Sequence, residues 1–342
     1  MSILSPLGWL YGRVADLRNT LYDKGVFETH DLGARTVSIG NITAGGTGKT
    51  PLVAYVAEIL AARGEKVCIL TRGYGRENPR QRVLVSDGRE ILADPRDAGD
   101  EPFELANKLL DKAIVIANAD RVAAAEWAKR KFGVTAFVLD DGFQHRKAKR
   151  DVDIVCVDAT NPFGGREMLP KGRLREPLAN LARANAIVIT RANLVENIED
   201  LKFEISKLAP NPRIFASENR ISRIVDLKEF HLSKQSTQSR DTLLKAFSFC
   251  GIGNPENFFE QLKKDGFEVA ATEAFRDHHI YNEQDIERIE QLAQTSGCEI
   301  LLTTAKDAVK LKGLTFMLPC FVVEIEMVID DADAFEEMML TL

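Results

Sequence analysis

Apolar residues along this chain fall in short dense runs, separated by longer segments in which they recur every three or four positions. The runs are "ARTVSIG" (34–40), "KVCIL" (66–70), "AIVIA" (113–117), "VTAFVLDD" (134–141), "VDIVCVD" (152–158) and "AIVIT" (186–190). Runs without polar alternation predict strands covered on both faces. The segments between them predict helices: one through "TPLVAYVAEILAAR", one after Asp100 and one from Asp120. "RVLVSDGREIL" (82–92) carries two short β runs around Asp87-Gly88, a hairpin signal. Strand and helix in alternation predict a parallel sheet with helices on both faces. From about 191 to 240 the pattern weakens, and the polar "HLSKQSTQSRD" (231–241) predicts a linker or exposed hairpin. A second unit follows, with strand "AFSFC" (246–250), loop "GIGNPEN", a helix, and strands "EILLTT" (299–304) and "CFVVEI" (320–325). The fold class expected is α/β, in two domains with a cleft between them.

The first helix is unusual. Leu4, Leu7, Leu10, Tyr11, Val14, Leu17, Leu21 and Tyr22 recur at helical spacing, with Trp9 alongside. Such a face packs on the protein's own core or lies in a membrane surface. Charge does not decide, since Arg13, Arg18 and Lys24 are matched by Asp16, Asp23 and Glu28, and the pattern alone favours packing on the core.

Composition narrows the classes. The 342 residues, 45% hydrophobic and 28% charged, suffice for two domains and a sizeable core. A net charge of -6 gives no electrostatic footprint for nucleic acid. The five cysteines are dispersed without a C-x-x-C pair, which reads as buried reduced thiols in a cytosolic protein. No apolar run reaches membrane-spanning length, and Pro6 and Gly8 interrupt anything resembling a secretory signal.

The candidate chemistry begins at "SIGNITAGGTGKTPL" (38–52). It ends as a phosphate-binding loop does, in Gly48-Lys49-Thr50, but Thr43 stands where G-x-x-x-x-G-K-[ST] has its first glycine. The context fits regardless. An apolar strand precedes the loop and a helix follows, and Gly45, Gly46 and Gly48 let successive N–H groups of residues 43–50 (Thr43, Ala44, Gly45, Gly46, Thr47, Gly48, Lys49, Thr50) turn toward one anion. Lys49 suits β- and γ-phosphates, and the Thr50 hydroxyl suits Mg²⁺. A second acidic site is expected for the metal, and Asp140-Asp141 supply it at a strand's carboxyl end. "TRGYGR" (71–76) offers Arg72 and Arg76 around Tyr74, "AGDEPFEL" (98–105) offers Asp100-Glu101, and "FRDHHIY" (275–281) offers histidines beside an aspartate. On their own Asp100-Glu101 also read as a helix cap, and 275–281 as a surface loop.

Taken in order, these stretches resemble the tetraacyldisaccharide 4′-kinase family, the lipid A 4′-kinases of Gram-negative bacteria. The resemblance rests on "LYGRVADLRNTLYDKG" (10–25), "SIGNITAGGTGKTP" (38–51), "LTRGYGR" (70–76), "GDEP" (99–102), "ANADR" (117–121), "LDDGFQH" (139–145), "LPKGRLREP" (169–177), "GIGNPENFF" (251–259), "DHH" (277–279) and "TTAKDAVKL" (303–311). Thr43 then belongs to the family's own loop, N-x-T-x-G-G-x-G-K-T. A departure lies in "LPKGRLREP", where an alanine-glycine-proline run is more usual.

The resemblance implies two α/β/α domains joined by a β linker, the N-terminal one a P-loop nucleotide-binding parallel sheet. It implies a docking helix over 1–30, a kinase domain over 31–225 and a smaller α/β domain with its linker over 226–342. It further implies an ATP- and Mg²⁺-dependent lipid kinase, a monomer, peripheral on the cytoplasmic face of the inner membrane and acting on the lipid A disaccharide precursor. Carried over by motif, Asp100 is the base with His278 tuning it. Lys49 serves phosphate, while Thr50, Asp140, Asp141 and Glu101 serve the metal. Arg72, Tyr74 and Arg121 face the lipid headgroup. The rival readings are a partitioning-type nucleotide-switch ATPase, whose loop carries a lysine where Ala44 stands, and a soluble small-molecule kinase.

Overall fold

In the computed structural model, which describes residues 4–232 and 244–341, the chain forms two units, Met1–Glu218 with Met327–Leu342, and Asn219–Glu326. The segment expected as a linker over 231–241 lies, from 233 on, outside the described residues.

The first unit is built on strands β1 (Arg35–Gly40), β2 (Val67–Thr71), β3 (Val83–Ser86), β4 (Ala113–Ala117), β5 (Ala136–Asp140), β6 (Val152–Asp158), β7 (Ala186–Thr190) and the start of β8 (Arg213–Asp226). Their order is β8-β7-β6-β1-β5-β2-β4-β3. The pairings are parallel except that of β3, which runs antiparallel to β4. Each central strand sends alternate residues to opposite faces. Val67, Ile69, Val115, Val138, Ile154 and Val188 join one core, packed by α2 (Lys49–Ala62), α3 (Pro95–Ala98) and α4 (Asp100–Lys108). Cys68, Leu70, Ile114, Phe137 and Leu139 join the opposite core under α5 (Arg121–Phe132). Val155, Val157, Ile187 and Ile189 continue that second face, packed by α6 (Glu199–Leu208). A strand buried on both faces favours apolar residues at most positions, which is why these strands read as dense apolar runs. The helix α1 (Leu4–Asp23) also belongs to this unit.

The second unit opens with the end of β8 and α7 (Leu227–His231). It further comprises β9 (Ala246–Cys250), α8 (Pro255–Lys264), β10 (Val269–Ala274), α9 (Glu283–Thr295), β11 (Ile300–Thr304), α10 (Ala305–Ala308) and most of β12 (Cys320–Ile329). Its sheet order is β10-β9-β11-β12, with parallel pairing. Phe247 and Phe249 pack with Ile286 and Ile289 of α9 on one face, and Ala246 and Cys250 with Phe259 and Leu262 of α8 on the other.

The chain passes between the units inside β8 and returns inside β12, neighbours in the sheet order. This corrects the expected extent of the C-terminal domain, 226–342. Met327 and Ile329 at the end of β12, and Phe335, Met338 and Met339 of α11 (Ala332–Thr341), lie in the first unit's core. Arg35 also donates to the carbonyls of Met339 and Leu340 at 3.0 and 3.2 Å. Nothing in composition marks the return, because it happens within a strand. The hairpin expected around Asp87-Gly88 survives as a single bridge between Ser86 and Ile91, while β3 pairs with β4 instead.

Candidate active site

The sheet of the first unit reverses its winding at β1, which lies between β5 and β6. Loops leaving the carboxyl ends of strands part at such a point and leave a crevice. Two groups of residues singled out from the sequence meet there. Residues 41–48 leave β1 and lead into α2, while β5 ends beside β1, with Ile39 paired to Asp140. Lys49, the first residue of α2, places Nζ 3.6 Å from Asp141 Oδ1.

Asp140 and Asp141 are adjacent in sequence but differ in surroundings. Asp140 is 4% exposed and accepts from the Thr71 hydroxyl at 2.8 Å. Burial, then the negative charges of Glu101 and Asp141, push its carboxyl up to about 6, against the pull of Lys49 and the Thr71 hydrogen bond. Asp141 sits at φ 52°, turned toward the cations. Arg175 Nη1 donates to both its oxygens at 2.8 and 2.9 Å. Although burial opposes ionisation, Lys49 and Arg175 hold its carboxyl below the usual range. One carboxylate is therefore neutralised by protein cations. The other keeps a raised carboxyl in spite of Lys49, so further positive charge would favour its ionised form.

Around this pair lie the other candidates of the first unit. Arg121 is buried, and its guanidinium donates to the Asp140 carbonyl at 3.4 Å. Tyr74 donates toward Asp141 at 3.5 Å and accepts from Arg72 at 3.2 Å, with the Arg72 guanidinium 5.1 Å from its ring centre. The charge of Glu101 acts on Asp140. Asp100 and Glu101 occupy the first turn of α4, and the residue at its N-cap is Gly99, so Asp100 is not the cap itself. The turn 72–76 is brought against this helix start by two glycines. A Cβ on Gly73 would lie 2.7 Å from the Ala98 carbonyl oxygen, and one on Gly99 2.7 Å from that of Tyr74. Only residues without a side chain permit that approach.

Among the candidate loop residues, Thr43 bridges to Leu174 and the Ala44 N–H donates to the Arg173 carbonyl at 2.7 Å. That amide is committed to the protein, which removes Ala44 from the set whose N–H groups turn toward an anion. The Thr47 hydroxyl accepts from Asn41 at 2.9 Å.

His278 belongs to the second unit. It adopts φ 62°, its N–H donates to the Gly251 carbonyl at 3.2 Å, and its ring lies 3.8 Å from Asp277, which Lys306 approaches to 3.2 Å.

The structure adds Arg175 and His145, to which the sequence reading gave no role. A cavity of about 640 Å³ opens beside Asp141, lined by Tyr11 and Val14 of α1 together with Arg72, Tyr74, Arg121 and Arg175. His145 also lines it. Burial, then the charges of Arg121 and Arg150, depress its imidazole to about 4, so it is neutral at pH 7. Its position at the end of "LDDGFQH" is the available signal in the sequence, as "LREP" is for Arg175.

A model of the tetraacyldisaccharide-1-P 4′-kinase family matches residues 1–342. The chain belongs to the tetraacyldisaccharide-1-phosphate 4′-kinase family. A tetraacyldisaccharide 4′-kinase of Halothermothrix orenii is 39% identical over 317 residues, 90% of this chain and 82% of that protein. Another, of Desulfotalea psychrophila, is 36% identical over 325 residues, covering 93% and 91%. A crystal structure of LpxK from Aquifex aeolicus in complex with ATP superposes with a TM-score of 0.78 at 29% identity, covering 99% of this chain and 98% of that one. The family's kinase fold is thus shared over essentially the whole length.

Proposed function

We propose that this chain transfers the γ-phosphate of ATP to the 4′-hydroxyl of a tetraacylated glucosamine disaccharide 1-phosphate, forming lipid IVA in lipid A biosynthesis. The observation that carries this reading is the full-length family match in a chain whose sheet brings the Gly-rich loop, Lys49 and Asp140-Asp141 to one crevice. The loop is the P-loop, and Lys49 reaches the β- and γ-phosphates.

Mg²⁺ fits the residues present. Thr50, Asp140, Asp141 and Glu101 are oxygen donors, the kind this hard cation prefers. The raised carboxyl of Asp140 marks a place where positive charge is wanted. Among the described residues no three His, Cys, Asp or Glu side chains are grouped to hold an ion unaided. A metal shared with substrate phosphates needs no such cage. Bound there, Mg²⁺ supplies neutralisation of charge on the transferring phosphoryl group.

Asp100 accepts the sugar hydroxyl proton, and His278 takes the tuning role that the family motif gives it. Arg72, Tyr74 and Arg121, lining the cavity with Arg175, receive the phosphorylated headgroup.

Membrane docking falls to α1. Leu7, Trp9, Leu10, Val14 and Leu17 are each at least half exposed. The side turned inward is thin or polar. Gly8 and Gly12 seat against Met168, and Asn19 donates to Glu176 at 2.6 Å. The apolar stripe is therefore left outward, beside a cavity that takes a lipid headgroup. No described helix is long and apolar enough to cross a membrane. The reading, taken from the family resemblance, is a peripheral monomer at the cytoplasmic face of the inner membrane.

The test is incubation with ATP, Mg²⁺ and the disaccharide 1-phosphate, followed by mass analysis. A product heavier by one phosphoryl group, with the new phosphate at the 4′ position, supports the reading. ATP hydrolysis without phosphorylated lipid would favour the nucleotide-switch alternative.

A further inference from the structure

The carboxyl ends of β6 and β7 hold two side chains that reach the Gly-rich loop and have no role in the scheme above. Thr190, the last residue of β7, donates its hydroxyl to the Thr47 carbonyl at 2.9 Å and is fully buried. Arg191 follows in the left-handed region, at φ 58° and ψ 34°. That conformation is strained for a residue with a Cβ and persists only where surrounding contacts impose it. Here it turns the side chain back over the sheet edge. Arg191 Nη1 donates to the Gly46 carbonyl at 3.0 Å and pairs with Asp158 at the end of β6. Asp158 is itself held by the Thr160 N–H and hydroxyl, at 3.1 and 2.8 Å.

The two carbonyls pinned in this way are consecutive, and this fixes more than the loop's position. A trans peptide unit is planar, with N–H and C=O pointing in opposite directions. Holding the Gly46 carbonyl toward Arg191 aims the Thr47 N–H away from it. Holding the Thr47 carbonyl toward Thr190 does the same to the Gly48 N–H. These two amides are continuous with the first N–H groups of α2, which starts at Lys49. Successive N–H groups facing one side form an anion-binding concavity. Upstream, the Ala44 amide is spent on Arg173. Thr190 and Arg191 therefore hold the two peptides of the concavity that adjoin α2.

We infer that Thr190 and Arg191 are positioning residues for the nucleotide phosphates: by fixing the Gly46 and Thr47 carbonyls they preset the Thr47 and Gly48 amides toward the β- and γ-phosphates before ATP binds. This inference rests on the reading of residues 43–50 as the nucleotide loop. It assigns a strained backbone residue, a buried threonine and an ion pair to one purpose. A loop set in advance loses less conformational freedom on binding than one that must be ordered by its ligand.

The experiment uses the full chain and measures four quantities for each variant: the ATP dissociation constant by calorimetry, KM for ATP, KM for the lipid, and thermal stability without nucleotide. Thr190→Val keeps the shape and removes the hydroxyl. Arg191→Met keeps the length and removes the donor. Arg191→Gly accepts the left-handed backbone without strain and also removes the donor. Each is expected to weaken ATP binding about three- to tenfold, the scale of one hydrogen bond. KM for the lipid should stay at the parent value. ATP binding at parent strength in Arg191→Gly would show that only the backbone turn matters, and would overturn the role of the side chain.

Lys49→Ala serves as the control. If it loses ATP affinity while a folded Thr190→Val/Arg191→Met double variant does not, the positioning role is wrong and the nucleotide site stands. If Lys49→Ala also binds ATP as the parent does, the nucleotide reading itself fails and takes this inference with it. Equal rises in KM for both substrates, with falling thermal stability, would identify a merely structural role and refute the proposal. If Arg191→Met does not fold, Thr190→Val alone carries the test.

Discussion

Replacing Asp140 by asparagine should make the protein more stable at neutral pH while abolishing most of its turnover. The carboxyl is lifted from 3.8 to about 6 in the folded chain, a difference of about two units. At 1.36 kcal/mol per unit this is about 3 kcal/mol by which folding is disfavoured once the group is ionised. The sign follows from proton binding. Between the two pKa values the folded state holds a proton that the unfolded state has lost, so stability falls as pH rises. The contribution is fully present below the unfolded value and gone above the folded one. The asparagine would not titrate, and its amide oxygen can still accept from Thr71. The gap in unfolding free energy between variant and parent should therefore open from near its baseline at pH 4 to about 3 kcal/mol more by pH 7. Urea denaturation at stepped pH, in chelator, reads this directly. Adding Mg²⁺ together with ATP should then stabilise the parent, as any ligand of the folded state does, and stabilise the variant less. A gap that is constant across the range would mean that Asp140 is not destabilised by its surroundings, and the argument for a cation at this site would fall.

Other outcomes follow from the same geometry. His145 works in the opposite sense: its folded value, about 4, lies below the ordinary value of 6.5, so its contribution is present above 6.5 and lost as pH falls toward 4. His145→Asn should therefore flatten the acid side of the stability profile, and an unchanged acid limb would show the ring is not held neutral. Asp100→Ala and His278→Ala should each lower kcat by about 10²- to 10⁴-fold, the usual scale for lost proton transfer. The double variant should lose less than the product of the two, since residues that act as a unit are non-additive; strictly multiplicative losses would count against a shared role. Leu7, Leu10, Val14 and Leu17 changed together to serine should leave thermal stability intact but abolish sedimentation with liposomes. Each is at least half exposed, so about 1 kcal/mol of membrane affinity per side chain is at stake. A variant that still sediments like the parent refutes docking by this face.

The strands that are legible in the sequence share one physical condition. β1, β2, β4, β5, β6, β7 and β9 are buried along essentially their whole length, and burial on both faces favours apolar residues. β8 and β10 lack that condition. β8 carries Arg213, Glu218, Arg220 and Arg223, and its exposure varies along its length. β10 lies at the edge of its sheet and alternates half-buried with exposed positions over "VAATEA". Neither makes an apolar run, so neither stands out as a strand. The same limit applies at the site. Motifs locate Lys49 and Asp140-Asp141 because their chemistry is local to one loop and one strand end. The contacts of Arg175 with Asp141, across 34 residues, and of Arg191 with Gly46, across 145, depend on which strands become neighbours. Periodicity does not contain that order.

The first helix shows why a periodicity can be read correctly and its meaning still be undecided. Spacing places Leu7, Leu10, Val14 and Leu17 on one face, and a core helix would have the same spacing. What favours the docking reading is the neighbouring face, which is inconspicuous in sequence. Gly8 and Gly12 let the backbone sit on Met168, and Asn19, 4% exposed, spends its amide on Glu176. Arg146 donates to the Asn19 carbonyl at 2.9 Å, and Arg18 to that of Gln144 at the same distance. The helix is thus anchored by small and polar residues, and these contacts do not use the apolar stripe. A helix fixed to its domain through hydrogen bonds can bring an exposed apolar face to a bilayer without unfolding anything. Its other neighbours, Tyr11 and Val14, meanwhile remain walls of the cavity beside Asp141. On the proposed function, the same twenty residues would connect the membrane surface to the phosphorylation site. This arrangement suits a substrate whose acyl chains stay in lipid while its sugar hydroxyl reaches a crevice in the protein.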